Sequence, residues 1–264
     1  WSQLPHKNNQ MSKPVIISPS YKRASGLKTH KLIPSVIYCV GESEKEAYEE
    51  QGVNVVTCPD KVNGNIARAR NWILDNHASK QLLIVDDDIA KIGRHEPDGD
   101  TYKVNWLTPD DVSDLIQQGF DLCKGFGARL WGLNPASDIG GYKEYTPFAC
   151  KSYISGSFSG FIDPVLRYDE NLPLKEDYDM TIQQCNVYRR VLRLNMFHMV
   201  KNDHGNKGGC ANYRTLEREK QQYELLLAKW GSKIVRRDSG SKSDGKKKAS
   251  YDINPIINVP IGGV

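Results

Sequence analysis

Four short aliphatic runs lie within the first 85 residues, and their spacing constrains the fold more than any other feature of the chain. "VIISP" ends at Pro19, "SVIYCVG" spans 35–41, "VNVVTCP" spans 53–59 and "QLLIV" spans 81–85. Runs of this length, bounded by Gly, Pro or charged residues, read as buried strands. Between the second and third lies "ESEKEAYEEQG", a charged helix closed by Gly52. Between the third and fourth lies "GNIARARNWILDNH" (64–77), with Ile66, Ala69, Trp72 or Ile73, and Asn76 at helical spacing. This alternation predicts an α/β domain with a doubly wound, mostly parallel central sheet flanked by helices. In such sheets ligands bind beyond the carboxyl ends of the strands. "SPSYKR", "GESE" and "DDD" therefore belong on one rim.

The pattern continues downstream. "LTPDDVSDLIQQGFDLCKGFG" (107–127) predicts a helix with Thr108 as N-cap, Pro109 at the first position and Asp110 and Asp111 in the first turn. "ARLWGLNP" reads as a strand, and 148–164 as a strand, a Gly/Ser loop and another strand. A helix over 176–190, a strand over 191–203 and a terminal helix over 212–231 complete the domain. The expected organisation is a polar N-terminal extension or appended remnant over 1–13, one domain over 14–231, and a basic, Gly/Ser-rich segment with an extended tail over 232–264.

The chain has 264 residues, enough for a substantial core, and its 39% hydrophobic and 26% charged content fits a globular protein. No apolar run approaches the roughly 20 residues that span a bilayer. The first ten residues lack the apolar region of a secretory signal. Six scattered cysteines without a C-x-x-C pair fit a reducing compartment, and the expected location is cytoplasmic, the host cytoplasm if the source is viral. Net charge is only +4, but 228–248 concentrates basic residues. That stretch is either a solvated loop or an arm for a polyanion such as nucleic acid.

Three consecutive aspartates at a strand end are too costly to bury unpaired. At a ligand rim, Asp86 and Asp88 suit a hard divalent cation, Mg²⁺ or Mn²⁺, bridging to a phosphate. On an extended segment these two face one side and Asp87 the other. "SGSFSG" (155–160) offers a loop of small residues to which a substrate can come close, Gly156 among them. "LKED" puts Glu176 and Asp177 at a helix start, where a carboxylate serves either the helix dipole or an acceptor hydroxyl as general base. His204, in the loop "NDHGNKGG", is either polar surface or a third metal ligand. His198, within "LNMFHMV", reads as part of a strand.

The order of these motifs resembles the GT-A glycosyltransferases, with their Rossmann-like nucleotide-binding half, D-x-D motif, glycine-rich loop, x-E-D motif and C-terminal histidine. The strings "SPSYKRA", "NIARARN", "LLIVDDDI" and "WGLNP" are similar to the TET/J-binding-protein-associated glycosyltransferases, which include phage enzymes that place sugars on hydroxymethylated DNA bases. The resemblance implies a nucleotide-sugar donor, usually a UDP-sugar, and a 5-hydroxymethylpyrimidine in DNA as acceptor. It implies that Ser18, Ser20, Tyr21 and Arg23 line the nucleoside pocket, with Gly41 and Glu42 beside the base. On the same resemblance Arg68 would reach the donor, Asp86 would hold the ribose or the metal's water shell, and Asp88 and His204 would hold the metal. Asp177 is the base if the reaction inverts the anomeric centre. The aromatics of "YKEYTPF" (142–148) and the basic 233–248 stretch are candidate DNA contacts.

Two other readings compete. A nucleotidyltransferase would use the same β/α half and paired aspartates on a nucleoside triphosphate, yet "SPSYKRASG" lacks a Gly-rich phosphate loop. A non-catalytic nucleic-acid-binding module derived from a transferase would not need the full carboxylate set.

Overall fold

The computed structural model describes residues 13–77, 79–137, 142–201, 209–237 and 253–261. Its first half follows the strand pattern closely. β1 (Val15–Pro19), β2 (Ile37–Gly41), β3 (Asn54–Cys58) and β4 (Gln81–Val85) pair in parallel in the order β3-β2-β1-β4. The short helix α1 (Lys45–Glu49) connects β2 to β3 and the longer α2 (Ile66–Asn76) connects β3 to β4, while two single 3-10 turns connect β1 to β2. Asn65 caps α2 by accepting from Arg68 N at 3.2 Å. All five residues of β4 are buried, as both faces of a central strand require.

Beyond β4 the sheet becomes mixed. A hairpin of β5 (Ile89–Asp98) and β6 (Thr101–Trp106) leads to α3 (Pro109–Gly125), β7 (Leu130–Asn134), the two-residue β8 (Phe148–Ala149) and β9 (Phe158–Ile162). Helix α4 (Glu176–Tyr188), β10 (Leu192–Lys201) and α5 (Leu216–Trp230) follow. The order continues β4-β9-β7-β10-β5-β6, with β9 antiparallel to β4 and β7, β10 parallel to β7, and β8 paired to β10. The hairpin was not apparent in the sequence. Its turn carries Gly99 at φ +62°, which a glycine tolerates without strain. Helix α3 has the expected cap: Thr108 Oγ1 accepts from Asp111 N at 3.2 Å, and Thr108 N donates to Asp111 Oδ2 at 2.9 Å.

Trp131 of β7 is fully buried on one sheet face, with Phe120 and Phe158 edge-on at 5.4 and 5.5 Å. A Cβ at Gly119 would lie 2.2 Å from its indole, and one at Gly160 only 2.0 Å. Gly160 of the "SGSFSG" run therefore serves core packing.

The C-terminal segment does not trail away as an extended tail. β11 (Val235–Arg237) and β12 (Pro255–Ile257) form a small antiparallel sheet, and Val259 and Ile261 join the core beside α2 and β4. Residues 238–252, which include the C-terminal part of the basic stretch, lie outside the described residues, as does His204. Among the described residues no helix is long and apolar enough to cross a membrane, and the cysteines are free.

Candidate active site

Strand register assembles the site. In the β1–β4 pair Ile17 lies opposite Ile84, and carrying that offset past the strand ends sets Ser20 beside Asp87. Ser20 Oγ indeed donates to Asp87 Oδ2 and sits 2.8 Å from the Tyr48 hydroxyl. In the antiparallel β4–β9 pair Val85 lies opposite Phe158, so the next pair brings Asp86 to Ser157, and Asp86 N donates to Ser157 O at 3.0 Å. The ends of two neighbouring strand pairs thus bring the "DDD" run, the end of β1 and the Gly/Ser loop to one cleft.

The cleft encloses about 700 Å³ and is lined by all three aspartates, by Ser20, Tyr21 and Arg23, by the 63–66 turn, and by Glu176, Asp177 and Lys201. The aspartates do not alternate as an extended segment would. Strand β4 ends at Val85 and Asp87 and Asp88 lie in a turn, so both reach one guanidinium: Arg23 Nη1 donates to Asp87 Oδ1 at 3.0 Å and to Asp88 Oδ2 at 3.2 Å. Asp87 has a bracing role. Its side chain ties Ser20 and Arg23, and its carbonyl accepts from Lys28 N at 2.9 Å. Asp86 faces the other way, towards Arg70 Nη2 at 3.5 Å and Lys201 Nζ at 3.4 Å.

The electrostatics separate the three carboxyls. Burial opposes ionisation of Asp86, but Lys201 and Arg70 outweigh it and hold this carboxyl below its ordinary range. Burial, then the charges of Asp86 and Asp87, push Asp88 up to about 6. Asp88 Oδ1 is buried and accepts no hydrogen bond. An anionic oxygen without a donor, among two further carboxylates, fits a hard divalent cation. Among the described residues no group of three or more His, Cys, Asp or Glu is placed to hold a metal ion by itself. Asp88 is the residue that would hold such an ion, with Asp86, now turned to Arg70 and Lys201, the second carboxylate of the run, leaving other positions for phosphate oxygens and water.

Arg70, not Arg68, enters the site. The two lie two residues apart on α2 and so point to nearly opposite sides of it. Arg68 is on the surface, with Nη1 donating to Lys61 O at 2.6 Å and Nε 3.4 Å from Glu170. The buried Arg70 guanidinium donates to Glu176 Oε1 at 2.6 Å and to Gly156 O at 2.9 Å, so it joins the "DDD", "SGS" and "KED" segments. A Cβ on Gly156 would fall 2.4 Å from Arg70 Nη1, so the space beside this glycine holds an arginine rather than a ligand.

The two acidic residues that open α4 differ. Burial and the neighbouring charge of Asp177 push Glu176 up to about 8, against the pull of Arg70. Asp177 lines the cleft and is oriented by three donors: the Tyr153 hydroxyl, Gly156 N at 3.0 Å and Tyr178 N at 2.9 Å. Glu176 is engaged by Arg70, and Asp177 is the carboxylate presented to the cleft. A second cavity of about 400 Å³ shares Tyr153, Glu176, Asp177, Cys210 and Arg214 with the first and extends to Pro135, Pro173 and Asn254.

Several expected residues stand back from the cleft. Ser18 is fully buried in β1. Gly41 packs behind Asn63, whose Nδ2 would lie 2.9 Å from a Cβ there, and Glu42 is exposed. Neither lines the cleft, because the 63–66 turn closes that wall. His198 is buried against His95, with ring centroids 4.5 Å apart, and belongs to the strand as expected. Lys201, Tyr153 and Arg214 were not singled out from sequence. Arg70 reads there as an arginine of a solvated face, and the structure overturns this: its helical phase matches Ala67 and Ile73 on the buried side.

Comparisons with known proteins bear on the family and the fold. A family model described as TET-Associated Glycosyltransferase matches residues 15–209. No curated protein matches the chain. Among solved structures, the mannosyltransferase PcManGT from Pyrobaculum calidifontis, in complex with GDP-Man and Mn²⁺, is similar with a TM-score of 0.54 at 12% identity, over 82% of this chain and 64% of that one. This chain thus spans just under two thirds of the mannosyltransferase. The glucosyl-3-phosphoglycerate synthase of Mycobacterium tuberculosis, with Mn²⁺, UDP and phosphoglyceric acid, gives 0.51 at 12% identity, over 94% of this chain and 87% of that one. These likenesses show the GT-A fold, and with the family match over most of its length the chain belongs to the TET-associated glycosyltransferases.

Proposed function

We propose that the protein moves a sugar from a nucleotide sugar, a UDP-sugar by preference, to a hydroxymethylated pyrimidine base in DNA, with Mn²⁺ or Mg²⁺ as cofactor. The observation that carries this reading is the cleft itself: three carboxylates with an unpartnered Asp88 oxygen, faced by Arg23, Arg70 and Lys201 and overlooked by Asp177. The nucleoside end of the donor fits the wall made by Ser20, Tyr21 and the 63–66 turn. A bound divalent ion supplies Lewis-acid stabilisation of the departing diphosphate. Asp88 and Asp86 would hold it, and His204 is the candidate further ligand. Lys201 shares the diphosphate charge. Asp177, held by its three donors, takes the proton of the acceptor hydroxyl as the hydroxyl oxygen attacks the anomeric carbon and the bond to the diphosphate oxygen breaks. The second cavity opens on the acceptor side of Asp177. The exposed Tyr145 of the 142–148 segment and the basic 233–248 stretch remain the candidate DNA contacts.

The test is mass spectrometry of nucleosides from 5-hydroxymethylcytosine and 5-hydroxymethyluracil DNA incubated with a panel of nucleotide sugars and Mn²⁺. A hexose or pentose mass added to the hydroxymethylated nucleoside is the expected result. Donor turnover with no addition to either DNA would overturn the acceptor assignment.

A further inference from the structure

The family match ends at residue 209, yet α5 beyond it is tied to the candidate catalytic turn at three points. Glu219, 2% exposed, accepts from Lys175 Nζ at 2.6 Å and pairs with Arg214 Nε at 3.0 Å. Gln222 accepts from Leu174 N at 3.3 Å and donates to Asn171 O at 2.8 Å. Asp179 takes Lys229 Nζ at 2.9 Å and Trp230 Nε1 at 2.7 Å. The ties fall on both sides of Glu176 and Asp177. Lys175, the residue at the N-cap position of α4, has a side chain that can only donate, and it donates to α5.

Net stability is a weak explanation for the Lys175–Glu219 pair. Desolvating two charges offsets most of their attraction, and a well-packed apolar pair does as well. α5 is fastened in any case by Tyr223 and Leu226 packing against Leu172 and Ile182. What a buried pair at 2.6 Å adds is a defined position for the residue that precedes the two carboxylates. Position matters here, because a base misplaced by about 1 Å can lose about 100-fold in rate.

We propose that Glu219 is a positioning residue for sugar transfer, fixing through Lys175 where Asp177 stands at the cleft. The proposal rests on the reading of Asp177 as the base. The other oxygen of Glu219 grips Arg214, which lines both cavities, so one carboxylate sets a base and a cation at their junction.

The test compares wild type, Glu219→Gln and the double variant Lys175→Met/Glu219→Leu, with UDP-glucose, Mn²⁺ and 5-hydroxymethylcytosine DNA. UDP affinity and stoichiometry are measured by calorimetry alongside. Glu219→Gln should bind UDP stoichiometrically with affinity within about twofold, while kcat falls about 100-fold and the KM for UDP-glucose barely moves. The double variant, which removes the buried charges together, should fold and show the same loss. A wild-type kcat in either folded variant overturns the proposal. So does a loss of UDP-binding stoichiometry that matches the loss of activity, because that is the signature of partial unfolding. Asp177→Asn separates the underlying reading: if it turns over normally, the base assignment fails whatever Glu219 does.

Discussion

Gly156→Ala probes whether Arg70 is the joint of the site. The backbone at Gly156 is not in the left-handed region, so the cost of a methyl group is steric. The added Cβ would stand 2.4 Å from Arg70 Nη1, 2.7 Å from Nη2 and 2.8 Å from Cζ. Ordinary contact is at least 3.5 Å, so the guanidinium must retreat by about 1 Å. It is fully buried and gripped at 2.6 Å by Glu176 and at 2.9 Å by Gly156 O, so retreat stretches its shortest bond. Overpacking costs about 1–3 kcal/mol, and weakening a charge-assisted hydrogen bond adds about 1–2 kcal/mol, for about 2–5 kcal/mol in all. Urea unfolding followed by circular dichroism measures this. The same substitution in an Arg70→Gln background, where the obstructing guanidinium is gone, should cost at least about 1 kcal/mol less. A cost under about 0.5 kcal/mol, or an equal cost in both backgrounds, would refute the reasoning.

Asp88→Ala should fold normally but lose Mn²⁺-dependent binding of UDP-glucose in calorimetry, and unchanged Mn²⁺ dependence would exclude Asp88 as a ligand. Gly160→Ala drives a methyl group into the Trp131 indole and should destabilise by about 2 kcal/mol or more, with Trp131→Phe in the same chain relieving part of it; additive costs would refute the clash. Burial, then the charge of His95, lowers His198 to about 4. The unfolded chain therefore takes up a proton near pH 6.5 that the native state refuses. The native advantage is complete above that pH and falls by as much as about 3 kcal/mol as the pH drops to 4. Urea midpoints of wild type and His198→Leu at pH 7 and 4.5 should diverge accordingly, and parallel pH dependence in the two proteins would contradict the assignment.

Local pattern was enough for the parallel half of the sheet. β1 to β4 each carry their own apolar run and turn signals, and β4 is apolar on both faces because it is central. The same logic placed "SPSYKR", "GESE" and "DDD" on one rim, since each follows a strand's carboxyl end where the fold class puts ligands, and the first and last of these do line the cleft. The β5–β6 hairpin was not legible, because the burial of β6 alternates only weakly and its residues are largely exposed.

Which side chains enter the cleft was decided by tertiary structure. "ARAR" offers two arginines of equal chemistry, and only the rotation of α2 against the sheet buries Arg70 and leaves Arg68 on the surface. Asp87 gains its bracing role because β4 stops one residue before the run and the chain turns. Gly41 and Glu42 lie on the expected rim, but the 63–66 turn stands between them and the cleft. Lys201, Arg214 and Glu219 come from elements more than 100 residues downstream of the aspartates, and nothing local marks them. Strand and helix periodicity are properties of neighbouring residues and can be read along the chain. The convergence of charged groups on a cleft depends on register, helix rotation and where strands end, and those are fixed only when the elements pack.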